Sequence, residues 1–367
     1  MFTKTGFSNI PSSIEGKIGI NLYNQKNHPI EIIKKYIYKY FNNLEGYNFN
    51  KFNNLKPFVD IKDNFDKLLI PKDHPTRSKS DTYYINEDTV LRTHTSAHQN
   101  ELLKQGYRNF LITGDVYRKD VIDNKHYPVF HQMDGIGLVP NGVDPIVELK
   151  NVLSGLIEYL FPNCEYRFNK DYFPFTEPSF EIEVKFKEDW LEILGCGIMH
   201  IDIVNKNNLN DKKFWAFGIG LERICMLFFD IPDIRYFWST HPRFLDQFNE
   251  EKVVKFKQYS KLPILFKDIS FWIESKNIKI MKDIERWVDE NTFFELVREV
   301  AGDYVGEVKM IDTFYHPKKK LHSRAYRIFY TPNDPYLRDP GEFAELANSY
   351  QDIIRNKINN EISVILR

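Results

Sequence analysis

The 367-residue sequence is poor in the features that would place it at once. It has 3 cysteines, Cys164, Cys196 and Cys225, far apart and without the C-x-x-C spacing of zinc or redox sites. That spacing argues for a reducing compartment and against both a disulfide framework and structural zinc. Net charge is nearly absent: 50 Lys plus Arg face 51 acids for a formal charge of -1. A global electrostatic case for nucleic acid or an anionic membrane surface is therefore missing. No apolar run approaches the roughly 18 residues that span a bilayer, and there is no internal repeat or long low-complexity tract. The N-terminal stretch Met1–Gly19 lacks a secretory apolar core and arginine, and Glu15 is its only acid. Its composition is consistent with a transit peptide without establishing one.

What is present is aromatic. Phenylalanine and tyrosine number 30 and 21, within a hydrophobic share of 42%, enough apolar surface in a chain of this length for two or three cores. The periodicity of Pro29–Phe41 predicts an amphipathic helix, with Ile32, Ile33, Tyr36, Ile37 and Tyr40 on one face. From Asp81 to Asp134 the pieces TYYI, TVLRTHT, NFLITGDVYRK and YPVFHQMDGIGLV read as short strands separated by polar turns, the texture of an antiparallel sheet. Pro145–Phe161 reads as a second helix, with the proline suited to its first turn. SFEIEVKF, WLEILGCGIMHIDIV and KFWAFGIG read as further strands, and a helix begins near Leu221. After a charged, linker-like stretch from Phe237 to Lys261 the pattern restarts. ILFKDISFWI, TFFELVREVAG, EVKMIDTFY, SRAYRIFYT, Pro340–Glu361 and ISVILR give the order β-α-β-β-α-β, a ferredoxin-like module.

Five of the 10 histidines lie between His74 and His131. His94 and His98 have the i, i+4 spacing of a zinc helix, but Thr95 stands where H-E-x-x-H has its glutamate, so metal is disfavoured. A better account starts from Gly114-Asp-Val-Tyr-Arg118 followed by Phe130-His131-Gln132. A strand arginine and a returning strand with an aromatic offer a guanidinium fork to a phosphate and a ring face to a purine. Alone, a strand arginine is more often a surface ion pair. Its company is Phe217-Gly-Ile-Gly220-Leu-Glu-Arg223, glycines between a strand and a helix with a second arginine one turn in.

These residues resemble a known family. The Arg118 strand with Phe-His-Gln after it resembles motif 2 of class II aminoacyl-tRNA synthetases, and Gly-Ile-Gly-Leu-Glu-Arg-Ile resembles motif 3. RTHTSAHQ at Arg92–Gln99, GDVYR at Gly114–Arg118, FPFT at Phe173–Thr176, EILGCG at Glu192–Gly197 and WAFG at Trp215–Gly218 are similar to phenylalanyl-tRNA synthetase. The ending, opening KDISFW at Lys267, resembles the ferredoxin-fold anticodon-binding domain of the single-chain organellar form. The likeness runs from about Asn24 to Arg367.

The resemblance implies an α+β architecture: a class II antiparallel sheet flanked by helices at 26–245, after an N-terminal extension at 1–25, then a linker at 246–262 and the ferredoxin-like module at 263–367. It implies a monomer without a second subunit, ATP and Mg²⁺ as cofactors, L-phenylalanine and tRNA(Phe) as partners, and no membrane. The mitochondrial matrix is the family's usual home for this arrangement, with a plastid-like organelle or the cytoplasm as alternatives. By the same resemblance Arg118 grips the α-phosphate, Arg223 lies on the adenine opposite Phe130, and Glu192 holds Mg²⁺ or pairs with an arginine in the empty enzyme. Lys125, His126 and Tyr127 border the nucleotide or the acceptor end. His94, Ser96, Ala97, His98, Gln99, Gln132, Met133 and Asp134 belong to the polar end of the phenylalanine site. Phe173, Phe175, Ala216, Phe217 and Gly218 belong to its ring slot, although two phenylalanines flanking a proline read equally well as core. Asp134 departs from the family's usual glutamate, one methylene shorter.

In the end module Lys318, Lys319, Lys320, Arg324, Arg327 and Arg338 face only Asp334, a local basic patch beside Tyr326 and Phe329 suited to tRNA. Two rivals stay open: a synthetase-derived RNA-binding or regulatory protein without catalysis, and a class II fold adenylating another acid such as biotin. The intact Arg118, Glu192 and Arg223 argue against the first, the FPFT pair and the end module against the second.

Overall fold

The structure is a computed structural model that describes residues 7–249, 254–258, 262–281, 284–332, 337 and 339–367. Arg338, Asp334 and parts of the expected linker, 250–253 and 259–261, lie outside the described residues, as do residues 1–6.

A seven-stranded sheet forms the first half, in spatial order Asn50–Phe52, Phe110–Tyr117, Val129–Leu138, Phe214–Gly220, Asp189–Met199, Thr176–Phe186 and Tyr166–Asp171. Its first pair is parallel and every other pair antiparallel. One face is covered by the helices Pro29–Asn42, Pro145–Leu160 and Leu221–Phe229, whose apolar stripes join the main core. Each of the first two opens with a proline at its first turn and a capping side chain, His28 or Asp144, that accepts from the free N–H groups. The opposite face is left partly open, and there the strands present their other row of residues.

The second half is a four-stranded antiparallel sheet in the order Val305–His316, Leu321–Tyr330, Leu265–Glu274, Val364–Leu366. Helices Glu290–Ala301 and Pro340–Glu361 cover one face over a separate core that includes Trp287, Phe293 and Tyr326. The class II sheet and the ferredoxin-like order expected from the sequence are both found.

Local departures have physical reasons. TVLRTHT is strand only at Thr89–Leu91, and Thr95–His98 turns as a 3-10 helix into Gln99–Lys104. TYYI forms only an isolated bridge from Tyr84 to Val90. HIDIV is not strand: the His200 ring accepts from the Asp202 N–H and starts the helix Ile201–Lys206. The edge strand Tyr166–Asp171 and the hairpin of Ile278–Met281 with Ile284–Trp287 were not anticipated. Phe256, in the expected linker, packs at 4.8 Å from the Tyr236 ring, so this stretch lies against the first half.

The two halves meet at the loop between Phe110–Tyr117 and Val129–Leu138 and at the stretch around Asp81 and Tyr83. The Val308 N–H donates to the Ile122 carbonyl at 2.9 Å, Arg298 Nη2 to the Asp120 carbonyl at 3.0 Å and the Tyr127 hydroxyl to Asp303 at 2.8 Å. Tyr83 donates to Glu295 at 2.7 Å, and Asn291 to Asp81 at 2.7 Å. Ile122 is buried in the second half's core.

Candidate active site

A cavity of about 1190 Å³ opens on the partly covered face of the large sheet and is roofed by the second half. Period-2 alternation decides which side chains enter it. On Val129–Leu138, Gln132, Asp134 and Ile136 line the cavity while His131 and Met133 are fully buried on the other side. On Phe214–Gly220, Ala216, Phe217 and Gly218 all border it, although the Phe217 ring itself stacks on Phe41 at 5.5 Å within the core. Of the expected phenylalanine-site residues, His94, Ser96, Gln99, Gln132, Asp134, Phe173, Phe175, Ala216, Phe217 and Gly218 are thus brought together. Met133 is not among them. Ala97 sits in a small core with Val59, Tyr84 and Val90, and His98 faces the buried Arg92, 3.0 Å from its Nη1.

The polar wall of the cavity has unmet hydrogen-bonding capacity. Asp134 Oδ1, Gln132 Oε1, Gln99 Nε2 and both ring nitrogens of His94 are buried without a partner among the described residues. Such groups cost about 1–3 kcal/mol each when left so, and more for a charge. Burial pushes the Asp134 carboxyl up to about 6 against the hydrogen bond from Ser96, and burial with the nearby Arg118 cation lowers His94 to about 3. The shorter side chain of Asp134 accepts a hydrogen bond from the Ser96 hydroxyl. Gly218 is required beside it: a Cβ there would lie 2.9 Å from Asp134 Oδ1. The apolar wall is the Phe173 and Phe175 pair, stacked with centroids 5.9 Å apart at 15°. Gly195 makes room for that pair, since its Cβ would lie 2.8 Å from the Phe173 ring.

Next to this wall Arg118 borders the cavity with its Cζ 5.2 Å from the Phe130 ring centroid, and its Nε donates to the Thr93 carbonyl at 2.7 Å. Burial lowers the Arg118 pKa, opposed by Asp120, Asp134 and Glu192. Arg223 Nη1 lies 3.3 Å from Glu192 and donates to the Glu192 carbonyl at 2.9 Å. Glu192 is half exposed, not enclosed as its apolar neighbours suggest, because a register shift in the strand pair turns it outward. Among the described residues no group of three His, Cys, Asp or Glu side chains is placed to hold a metal ion. A Mg²⁺ here would take one carboxylate from the protein and its other ligands from phosphate and water, which suits that ion. Lys125 is exposed, and His126 pairs with Asp123 at 2.8 Å, which raises the histidine's pKa. Tyr127 is buried, stacked on Trp238 at 5.7 Å and bonded to Asp303, so it faces the second half rather than the cavity.

In the second half Lys318, Lys319 and Lys320 form an exposed turn between two strands. Arg324, in contrast, is buried, donating to Glu290 at 2.9 Å and to the Glu285 carbonyl at 3.1 Å, and Tyr326 is fully buried beside it. Neither is available to RNA. Arg327 is at the surface, paired twice with Asp268 and 4.2 Å from the Phe266 ring. The sequence reading overlooked Trp272 on the uncovered sheet face, flanked by Lys319 at 5.4 Å and Arg367 at 4.9 Å. Its signal was the alternation Phe266, Asp268, Ser270, Trp272, with Ile269, Phe271 and Ile273 buried between them.

Residues 14–248 match the family model of the tRNA synthetases class II core domain (F), and the large antiparallel sheet with its cavity is the core of a class II aminoacyl-tRNA synthetase. Over 371 residues the chain is 47% identical to the chloroplastic/mitochondrial phenylalanine–tRNA ligase of Arabidopsis thaliana, an alignment covering 98% of this chain and 83% of that protein. It is 40% identical to the mitochondrial phenylalanine–tRNA ligase of Dictyostelium discoideum, covering 98% and 89%. With the mitochondrial phenylalanine–tRNA ligase of Mus musculus it shares 43% identity, covering 88% and 79%. The chain belongs to the single-chain organellar phenylalanine–tRNA ligases.

Proposed function

We propose that the chain activates L-phenylalanine with ATP and attaches it to tRNA(Phe) for translation in an organelle, the mitochondrion or a chloroplast. The observation that carries this reading is the set of buried, unpartnered polar atoms beside the Phe173 and Phe175 rings. An α-ammonium satisfies Asp134 and Gln132, an α-carboxylate meets donors at Gln99 and His94, and a phenyl ring fills the apolar end. The Asp134 carboxylate, almost wholly buried, and the substrate cation neutralise each other.

Activation needs the carboxylate to attack the α-phosphorus of ATP while pyrophosphate leaves. Charge gathers on the phosphoryl oxygens, so positioning and electrostatics do most of the work. Arg118 supplies the guanidinium at the α-phosphate, and Phe130 with Arg223 forms the adenine platform. Glu192 would hold a Mg²⁺, which would supply further neutralisation of phosphate charge. The catalytic body at 26–245 then serves as the activating unit and the module at 263–367 as the reader of tRNA. The module's Lys318–Lys320 turn and the Trp272 face, with Lys319 and Arg367 over the ring, suit a phosphate backbone and unpaired bases. The chain works as a monomer on this reading, since both functions lie on one polypeptide.

The test is pyrophosphate exchange with each amino acid in turn, followed by charging of organellar tRNA. Phenylalanine-dependent exchange together with charging of tRNA(Phe) is the expected outcome. Exchange that does not depend on phenylalanine would refute the proposal.

A further inference from the structure

Asn64 lies outside every motif of the active site, yet it is wholly buried at the end of the short helix Ile61–Asn64. Its carboxamide is used on both sides. Oδ1 accepts from the Thr93 N–H at 3.0 Å and Nδ2 donates to Thr93 Oγ1 at 3.0 Å. A primary amide bonded in this way fixes the peptide that precedes Thr93 and the Thr93 side-chain rotamer, and so restricts the directions in which the Thr93 carbonyl can point. The carbonyl of Thr93 is the acceptor that takes Arg118 Nε at 2.7 Å, and the next residue is His94, on the polar wall of the cavity.

The helix that carries Asn64 is itself pinned. Asp60 caps it by accepting from the Lys62 N–H at 2.7 Å, the Ile61 N–H donates to the Asp88 carbonyl at 2.9 Å, and Phe65 beyond it is fully buried. The chain of contacts therefore runs from a fixed helix end through Asn64 and Thr93 to the Nε edge of the Arg118 guanidinium. Arg118 has the Phe130 ring on one side and the Thr93 carbonyl at one edge, which leaves its Nη edge as the part of the fork open to an anion. A fork must be held to within a few tenths of an ångström to give its full electrostatic benefit, and the groups that hold it matter nearly as much as the fork.

We propose that Asn64 is a positioning residue for amino-acid activation: through Thr93 it orients the Arg118 guanidinium toward the α-phosphate. This rests on the reading of Arg118 given above. Removing the amide leaves the Thr93 N–H and hydroxyl without partners and frees the carbonyl that Arg118 uses. The cost falls on the transition state, where charge develops, more than on the binding of phenylalanine.

The experiment is a double-mutant cycle on the full chain, read as the rate of adenylate formation in single turnover at saturating substrates. The proteins are wild type, Asn64→Ala, Arg118→Ala and the double variant, with thermal unfolding recorded for each. Asn64→Ala is expected to slow the step about 30-fold while the KM for phenylalanine changes less than threefold. In the Arg118→Ala background the same substitution should change the rate less than twofold, because the group through which it acts is gone. An equal loss in both backgrounds, or no loss in either, overturns the proposal. Should Asn64→Ala fail to fold, Thr93→Val keeps the Thr93 backbone bond to Asn64 Oδ1 and removes only the second; its smaller loss must likewise vanish with Arg118→Ala. An Arg118→Ala enzyme of wild-type rate would instead overturn the assignment of Arg118 itself, so the two failures are distinguishable.

Discussion

Replacing Asp134 by asparagine should make the empty enzyme more stable and the working enzyme much poorer. Asp134 is fully enclosed and its carboxyl is pushed up to about 6 from an ordinary 3.8. The unfolded chain releases that proton near pH 4 and the folded chain near pH 6, so between these values the folded state holds more protons. Stability from this group therefore falls as pH rises from about 4 to 6 and stays low above, a burden of ~3 kcal/mol at neutral pH. Asparagine has the same shape and no charge to bury. Weakening the Ser96 hydrogen bond offsets about 1 kcal/mol of the relief, leaving a net gain of ~1–2 kcal/mol and a rise in Tm of ~2–8 °C. The ammonium of phenylalanine loses its buried counter-charge, worth ~3–5 kcal/mol when one partner is removed. Exchange kcat/KM for phenylalanine should then fall ~10²–10⁴-fold, and phenylalanine, which should raise the Tm of the wild type, should leave that of the variant unchanged. In the wild type the same titration should depress kcat/KM for phenylalanine about tenfold per pH unit below about pH 6. The assays are calorimetry with and without phenylalanine and pyrophosphate exchange across pH 5–8. An asparagine variant with unchanged or lowered Tm, or with kcat/KM within threefold of wild type, refutes the reasoning.

Other outcomes are expected from the same geometry. Ala216→Gly enlarges the ring slot by a methyl group and should admit para-chlorophenylalanine in pyrophosphate exchange, where unchanged rejection would count against this map of the pocket. Changing Lys318, Lys319 and Lys320 to glutamate should weaken tRNA charging and flatten its salt dependence while exchange with phenylalanine stays at the wild-type rate; a parallel fall in both assays would remove the turn from the RNA surface. Arg324→Ala should act on stability instead, lowering the module's resistance to urea by ~1–3 kcal/mol, since it removes a buried guanidinium and leaves the half-buried Glu290 with only the Tyr326 hydroxyl as a partner. A variant that unfolds like wild type but fails to bind tRNA would restore Arg324 to the RNA face.

The contrast between Arg324 and Lys319 shows where the sequence was informative and where it was not. Both belonged to one basic patch by composition, but Arg324 lies on a strand row that points at Trp287 and Phe293, and Lys319 on a turn that points at water. Charge in a run is legible from the chain; the side of the sheet on which each charge falls depends on register. The large sheet and both ferredoxin-like helices follow from local patterning, with alternation at period 2 and proline-capped amphipathic helices, and these could be read directly. Alternation also settles the neighbours inside each motif: Gln132 and Asp134 enter the cavity while Met133 does not, and Gly218 does while the Phe217 ring turns into the core. Motif likeness carries adjacent residues over together, which is why Met133, Ala97 and His98 came with their neighbours. Asn64 was out of reach for a different reason. Its role depends on a contact across 29 residues to a carbonyl, and a carbonyl has no letter in the sequence. The placement of Tyr127 away from the cavity was likewise out of reach, because its partner, Asp303, lies 176 residues away in the other half of the chain. A loop that reads as nucleotide-facing from one domain is held from behind by the other, so its side chains divide between a substrate cavity and an internal interface.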